Sequence, residues 1–295
     1  MGNIKMIFVK DLSFPEGPVL LKDKSWLVVE MGADKGCITR ISPDGKSKQT
    51  IAKTGRPNGL AVDREGVIWV AESKPPSLLR LSMDGRFETF LEEWKREPFL
   101  WPNDLLFGPD GALYMTDSGI LTEEYLSNGK VRDDYMSMDY DGRVYRIDVG
   151  TKEIVKLDSG IFFTNGLAFG PDNNLYVNET NSGMVYRYPM KNGELVGGRE
   201  NFGNVLSSGY VQGVKGPDGM KFGTNGNLYV AVYGEGRITV LDSNGKVVQR
   251  ITTQGRFPTN LAFGPHGEKK IYVTEVEFGS MEVHNIDTDG LPLYG

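Results

Sequence analysis

Pro102 to Ser118 reads PNDLLFGPDGALYMTDS, and the same grammar recurs along the 295-residue chain. Pro57 to Ser73 reads PNGLAVDREGVIWVAES, followed by TNGLAFGPDNNLYVNET from Thr164, PDGMKFGTNGNLYVAVY from Pro217 and TNLAFGPHGEKKIYVTE from Thr259. A degenerate first copy, PEGPVLLKDKSWLVVEM, starts at Pro15. Six units averaging about 49 residues fall within the repeat lengths of β-propeller blades.

Each unit has a short apolar run such as Leu167-Ala168-Phe169, then a Gly/Asp turn such as GPDG at 108–111, then a second apolar run such as Leu113-Tyr114-Met115. That is a hairpin signal. Third runs follow at Leu78 to Leu81, Val144 to Ile147, Val185 to Tyr188 and Ile238 to Leu241, and fourth, more polar runs at Phe87 to Leu91 and Val247 to Ile251. With no helical periodicity, the expected fold is all-β, a six-bladed propeller of four antiparallel strands per blade, forming one domain over residues 1–295. The last unit has its third strand at Met281 to Ile286 but a turn-rich end. The unassigned run Ile4 to Val9 is therefore expected to close the ring as the outer strand of the last blade.

Composition narrows the chemistry. Hydrophobic residues make up 39% of the chain, enough for a large core, while histidine is limited to His266 and His284 and cysteine to Cys37. A His-rich zinc cage or a Ser/His/Asp triad has almost nothing to build from. The net charge of −6 offers no field for nucleic acid or anionic lipid. No apolar run approaches the roughly 20 residues that span a bilayer, and no secretory h-region precedes residue 20. A cytoplasmic protein with a small-molecule substrate, and with no nucleic-acid or membrane partner, is expected.

Alignment of the units gives one anchor at the entry to each innermost strand: Glu16, Asn58, Asn103, Asn165, Asp218 and Asn260. In a propeller these strands line the channel and start at one face, so the anchors are expected to ring one mouth. Taken singly, an Asn-Gly pair is an ordinary turn. Convergence of six such positions, one of them a glutamate, points instead to oxygen ligands for a hard cation, calcium or magnesium ahead of zinc. Glu30, Glu72, Asp117 and Glu179 each follow their anchors by 14 residues and Glu275 by 15, which suggests a second acidic ring at the same mouth. Asp110, Asp172 and Asn225 belong to hairpin turns at the opposite face, and the sequon Asn178-Glu179-Thr180 is read as inert.

An insertion, Gly119 to Asp141, lies between the second and third strands of the third blade and holds Tyr125, Tyr135, Met136, Met138 and Tyr140. It is expected to wall the pocket, with Phe162, Phe163 and Tyr210 as further lining.

FPEGP at 14–18, WPND at 101–104 with YMTD at 114–117, TNGL at 164–167 and PDGM at 217–220 resemble the signature segments of the gluconolactonase and regucalcin (senescence marker protein) family. The resemblance covers nearly the whole chain and implies a divalent metal, usually calcium, with magnesium, manganese or zinc as alternatives. Residues matching Glu16, Asn165 and Asp218 hold it, and the match to Asn103 is a further ligand or a substrate contact. Trp101 stands where the sugar-lactonase branch carries Arg, so an indole replaces a guanidinium in the wall. The implied activity is metal-assisted opening of a lactone, with Asp218 as candidate general base or pure ligand and Asn103, Trp101, Asp117, Tyr135 and Phe163 as candidate substrate contacts. Competing readings are a calcium-dependent phosphotriesterase similar to diisopropyl fluorophosphatase and a non-catalytic calcium-binding propeller. A bond-forming synthase would need a dedicated acid/base that the chain does not display.

Overall fold

The computed structural model describes residues 6–209 and 213–295. Six four-stranded antiparallel sheets surround an axis, and their innermost strands are Pro15–Leu20, Pro57–Val62, Pro102–Phe107, Thr164–Phe169, Gly216–Phe222 and Pro258–Phe263. Each run inferred from the repeats is a strand. The closing strand is Met6–Val9, paired with Ser280–Asn285 through Met6↔Val283, Ile7↔Glu282 and Val9↔Met281; the preceding residues of the expected run lie outside the described residues. No helix is long and apolar enough to cross a membrane.

The core lies between the blades, one apolar cluster to each interface. Ala61, Trp69 and Leu78 meet Leu105, Leu113 and Tyr145 between the second and third blades, and the same arrangement repeats around the ring. Closure is made by Val9, Met281 and Tyr272 of the last blade against Trp26 and Ile41 of the first, with the Trp26 and Tyr272 rings 4.3 Å apart. Alternating side chains put one face of every strand into such an interface, and this burial drives ring formation.

The one departure from all-β is the insertion. It holds a single helical turn, Thr122–Tyr125, and a 3-10 turn, Tyr135–Ser137. Elements this short show no periodicity in a sequence.

The Asn-Gly and Asp-Gly pairs are not turns. They sit inside the inner strands, and in every blade the register slips there: between Glu16 and Val19, Pro57 and Gly59, Pro102 and Leu105, Thr164 and Leu167, Pro217 and Met220, and Pro258 and Asn260. A bulge of this kind re-aims a side chain, here toward the axis. The glycine after the anchor lets neighbouring blades approach. A Cβ on Gly59 would lie 2.6 Å from the Asn103 carbonyl oxygen, and one on Gly166 would lie 2.3 Å from that of Asp218. Gly166→Ala is therefore expected to cost about 1–3 kcal/mol in chemical denaturation by forcing blades apart. Gly197→Ala, where an added Cβ meets nothing within 4 Å, should stay within about 0.5 kcal/mol.

Candidate active site

At the face where the inner strands start, a cavity of about 100 Å³ brings together Glu16, Asn103, Asn165 and Asp218 from four blades, walled by Trp101, Phe163, Tyr125, Phe14 and Arg56. Glu16, Asn103 and Asn165 are buried and Asp218 is half-buried. The anchors at Asn58 and Asn260 serve differently. Asn260 donates to Glu16 Oε1 at 2.8 Å, and Asn58 accepts the Trp101 indole N–H at 3.0 Å while donating to Asn103 Oδ1 at 3.3 Å. They position their neighbours.

Hydroxyls fifteen residues beyond two of the asparagines set the amide orientation. Asn103 Nδ2 donates to Ser118 Oγ at 2.9 Å and Asn165 Nδ2 to Thr180 Oγ1 at 3.2 Å, which turns each amide oxygen the other way. Asn165 Oδ1 and Glu16 Oε2 are buried without a hydrogen-bond partner. Orphaned buried oxygens are costly, and oxygens from different blades facing one small cavity suit a hard cation. Among the described residues no group of three or more His, Cys, Asp or Glu could hold a metal, so a site here has to be completed by amide oxygens, a poor set for zinc. The residues present fit a calcium-type ion.

Three residues that local sequence reading did not single out complete the electrostatics. Asp104 occupies the position filled by glycine in four of the other blades; it borders the larger cavity on the far side of the anchors and is close enough to act on Glu16 and Asp218. Its Oδ2 has no hydrogen bond, and Lys221 Nζ lies 3.9 Å away. Three carboxylates (Glu16, Asp104, Asp218) and one ammonium leave two formal negative charges, the complement of a divalent cation. The Glu16 carboxyl is held well above the usual range by burial first, then by Asp104 and Asp218, against the Asn260 hydrogen bond and Lys221. Asp218 is raised by burial and by Asp104, against hydrogen bonds from Asn165 and the Gly219 amide. Arg56, the third such residue, lies with its guanidinium 4.8 Å from the centre of the Trp101 ring, so an arginine does reach this wall, from the adjacent blade.

The second acidic ring is corrected by the structure. Asp117 accepts the backbone N–H groups of Leu100, Trp101 and Gly119 at 2.8–2.9 Å, does not line the cavity, and shapes the loop that presents Trp101. Glu30 binds the Ser13 amide, Glu72 those of Arg56 and Lys74, Glu179 that of Phe162, and Glu275 those of Phe257, Glu277 and Phe278. These acids clamp loops. The sequon residues are buried too: Asn178 donates to the Asp218 carbonyl and Thr180 to that of Pro217.

The insertion packs where expected. Tyr125 and Phe163 contact Trp101 with ring centroids 5.6 and 5.4 Å away, backed by Leu126, Val131, Met138 and Tyr140. Phe163 has φ of 68°, a strained conformation that directs its ring over the mouth. Tyr135 supports this cluster from behind and does not line the cavity, and Met136 is 49% exposed. Tyr210 lies outside the described residues. A larger cavity of about 740 Å³ opens at the opposite end, between Val62, Phe107, Phe169, Phe222 and the final residues Leu291–Gly295; only Asp104, Lys221 and Asn260 link it to the mouth chemistry.

Residues 14–277 match the SMP-30/Gluconolactonase/LRE-like region, and the chain belongs to that family of lactonase-like hydrolases, which is often metal-dependent and acts on small lactones. It is 27% identical over 89% of its length to a gluconolactonase of Zymomonas mobilis, covering 76% of that protein. It is 28% identical to a diisopropyl-fluorophosphatase of Loligo vulgaris over 93% of this chain and 90% of the other. The structure of a calcium-binding regucalcin from Agrobacterium tumefaciens superposes with TM-score 0.80 over 100% of this chain and 97% of that one, at 19% identity, a likeness that shows the fold.

The raised carboxyls have a consequence for stability. A group whose folded pKa exceeds its unfolded one leaves the folded state binding more protons, so its contribution is present at low pH and lost as pH rises through the folded value. The melting temperature of metal-free protein is expected to fall from pH 5 to pH 8, and calcium to remove most of that fall; Glu16→Gln should flatten the metal-free profile. A thermal series at fixed ionic strength with chelator or calcium checks this. A pH dependence untouched by calcium or by the substitution would show that Glu16 and Asp218 do not share a cation site.

Proposed function

We propose that the protein is a calcium-dependent lactonase that opens a small lactone to the hydroxy acid. The observation that carries this reading is the set of oxygens from four blades, two of them buried without partners, that face one small cavity at the mouth. When bound by Glu16, Asn165 and Asp218, with Asn103 as a further ligand or a contact to substrate, calcium supplies a Lewis acid for the lactone carbonyl. Asp218 takes the proton of the attacking water. Burial and the neighbouring Asp104 raise its proton affinity in the metal-free protein, and Asn178 holds its backbone carbonyl. Asn103, fixed by Ser118 and Asn58, orients the carbonyl end of the ring. Trp101, Tyr125 and Phe163 exclude bulk water, which strengthens each of these interactions.

The second reading, phosphotriester hydrolysis, is favoured by the apolar wall and by the extent of the match to the fluorophosphatase. It uses the same residues on a P=O group. A panel of aliphatic and sugar lactones plus a dialkyl fluorophosphate, assayed with calcium and with chelator, separates the two. Chelation is expected to abolish lactone turnover, Glu16→Gln to remove calcium binding and activity together, and Asp218→Asn to lower kcat by about 10²- to 10⁴-fold. Lactone hydrolysis that survives chelation and Asp218→Asn would defeat the reading. Calcium binding without turnover of any ester would favour a binding protein.

A further inference from the structure

The residues two positions before the anchors form a collar above them. In blade order these are Phe14, Arg56, Trp101, Phe163, Gly216 and Pro258, and the first four line the mouth cavity. Three of those four are aromatic, and Arg56 is the one charged member. Its blade has been diverted to present it. Ser73 stands fifteen residues after Asn58, as Ser118 and Thr180 stand after Asn103 and Asn165. Those two hydroxyls aim amides, whereas Ser73 Oγ accepts from Arg56 Nη1 at 2.9 Å and donates to the Arg56 carbonyl at 2.7 Å. Asn58, no longer held by its own serine, turns to Trp101 and Asn103.

The guanidinium is then stacked on the Trp101 indole, and among the described residues the bond to Ser73 is its one side-chain hydrogen bond. Of its five donors, most remain for something else. Burial pushes its pKa down to about 10, with only Glu72 opposing, and the Glu72 Oε1 is already spent on the amides of Arg56 and Lys74. A half-buried, pre-oriented fork at the rim of a catalytic cavity is the arrangement that binds carboxylates in two-point contact. Once a divalent cation offsets the two formal negative charges below, the mouth presents Arg56 to an incoming anion without a net negative field against it.

We propose that Arg56 is the specificity residue of the mouth and that the preferred substrate is a lactone bearing a carboxylate, bound by Arg56 while the lactone carbonyl lies over the anchor oxygens. This rests on the lactonase reading, and it names the substrate class. Trp101 and Phe163 then cover the faces of the ring, and Arg56 fixes its far end.

The test compares D-glucaro-1,4-lactone with D-glucono-1,4-lactone, which differ only in carrying a carboxylate or a hydroxymethyl group at the end distal to the carbonyl. Calcium-loaded wild-type protein is expected to favour the first. Arg56→Met is expected to reduce that preference by about 10- to 100-fold, chiefly through KM, as for loss of hydrogen bonds to a charged group. Arg56→Lys, which keeps the charge and loses the fork, should recover part of it. Equal losses on both lactones, residing in kcat, would assign Arg56 a structural role and overturn the proposal, as would a wild-type enzyme indifferent to the carboxylate. Should neither lactone be turned over, the lactonase reading fails on its own, and calorimetry of D-glucarate against D-gluconate on the calcium-loaded protein still decides the matter for Arg56. A preference for glucarate that is lost in Arg56→Met sustains the recognition role, and equal affinities defeat it.

Discussion

Everything in this molecule depends on how closely six strands can approach one axis. Oxygens from different blades serve one ion only if the backbones carrying them nearly touch. The bulge in each inner strand and the glycine after most anchors make that approach possible. A side chain at Gly166 or Gly219 would meet the next blade's backbone or its anchor, so the repeated small residue belongs to ring geometry. The apolar clusters between blades supply the driving force, and the glycines decide how narrow the ring becomes.

That narrowness carries an electrostatic cost. Glu16 and Asp218 are brought beside Asp104 in a space that disfavours the charged forms of Glu16 and Asp218, with Lys221 near Asp104. An apolar interior would reject such a cluster, and a divalent cation would make it favourable. The same logic separates the two acid series. Carboxylates at the strand entries keep oxygens without partners. Those at the ends of the second strands each accept at least one backbone amide, three each for Asp117 and Glu275, and act as loop clamps.

The chemically distinctive residues of the mouth lie where the repeats depart from one another. Glycine becomes Asp104 in one blade, and an aromatic collar residue becomes Arg56 in another. In the third blade a connection grows into the insertion that packs on Trp101 and Phe163. A shared frame gives each substitution a defined place on the axis, so a single changed residue acquires a single changed role. Arg56 illustrates it: its serine holds a guanidinium where the equivalent hydroxyls hold amides.

The sequence by itself determined the propeller, its closure by an N-terminal strand and the anchors, because repetition exposes the fold and equivalent positions in a symmetric ring share one location. It also marked the insertion as a wall. Tertiary structure alone decided which acids face the cavity: Glu16 and Glu30 sit at neighbouring strand ends, yet Glu16 lines the mouth while Glu30 accepts the Ser13 amide and the Thr39 hydroxyl. It decided as well that Asp104 meets Lys221 and that Arg56 meets Trp101. These contacts join different blades, and no local pattern records a distance between residues that the chain brings together only by closing the ring.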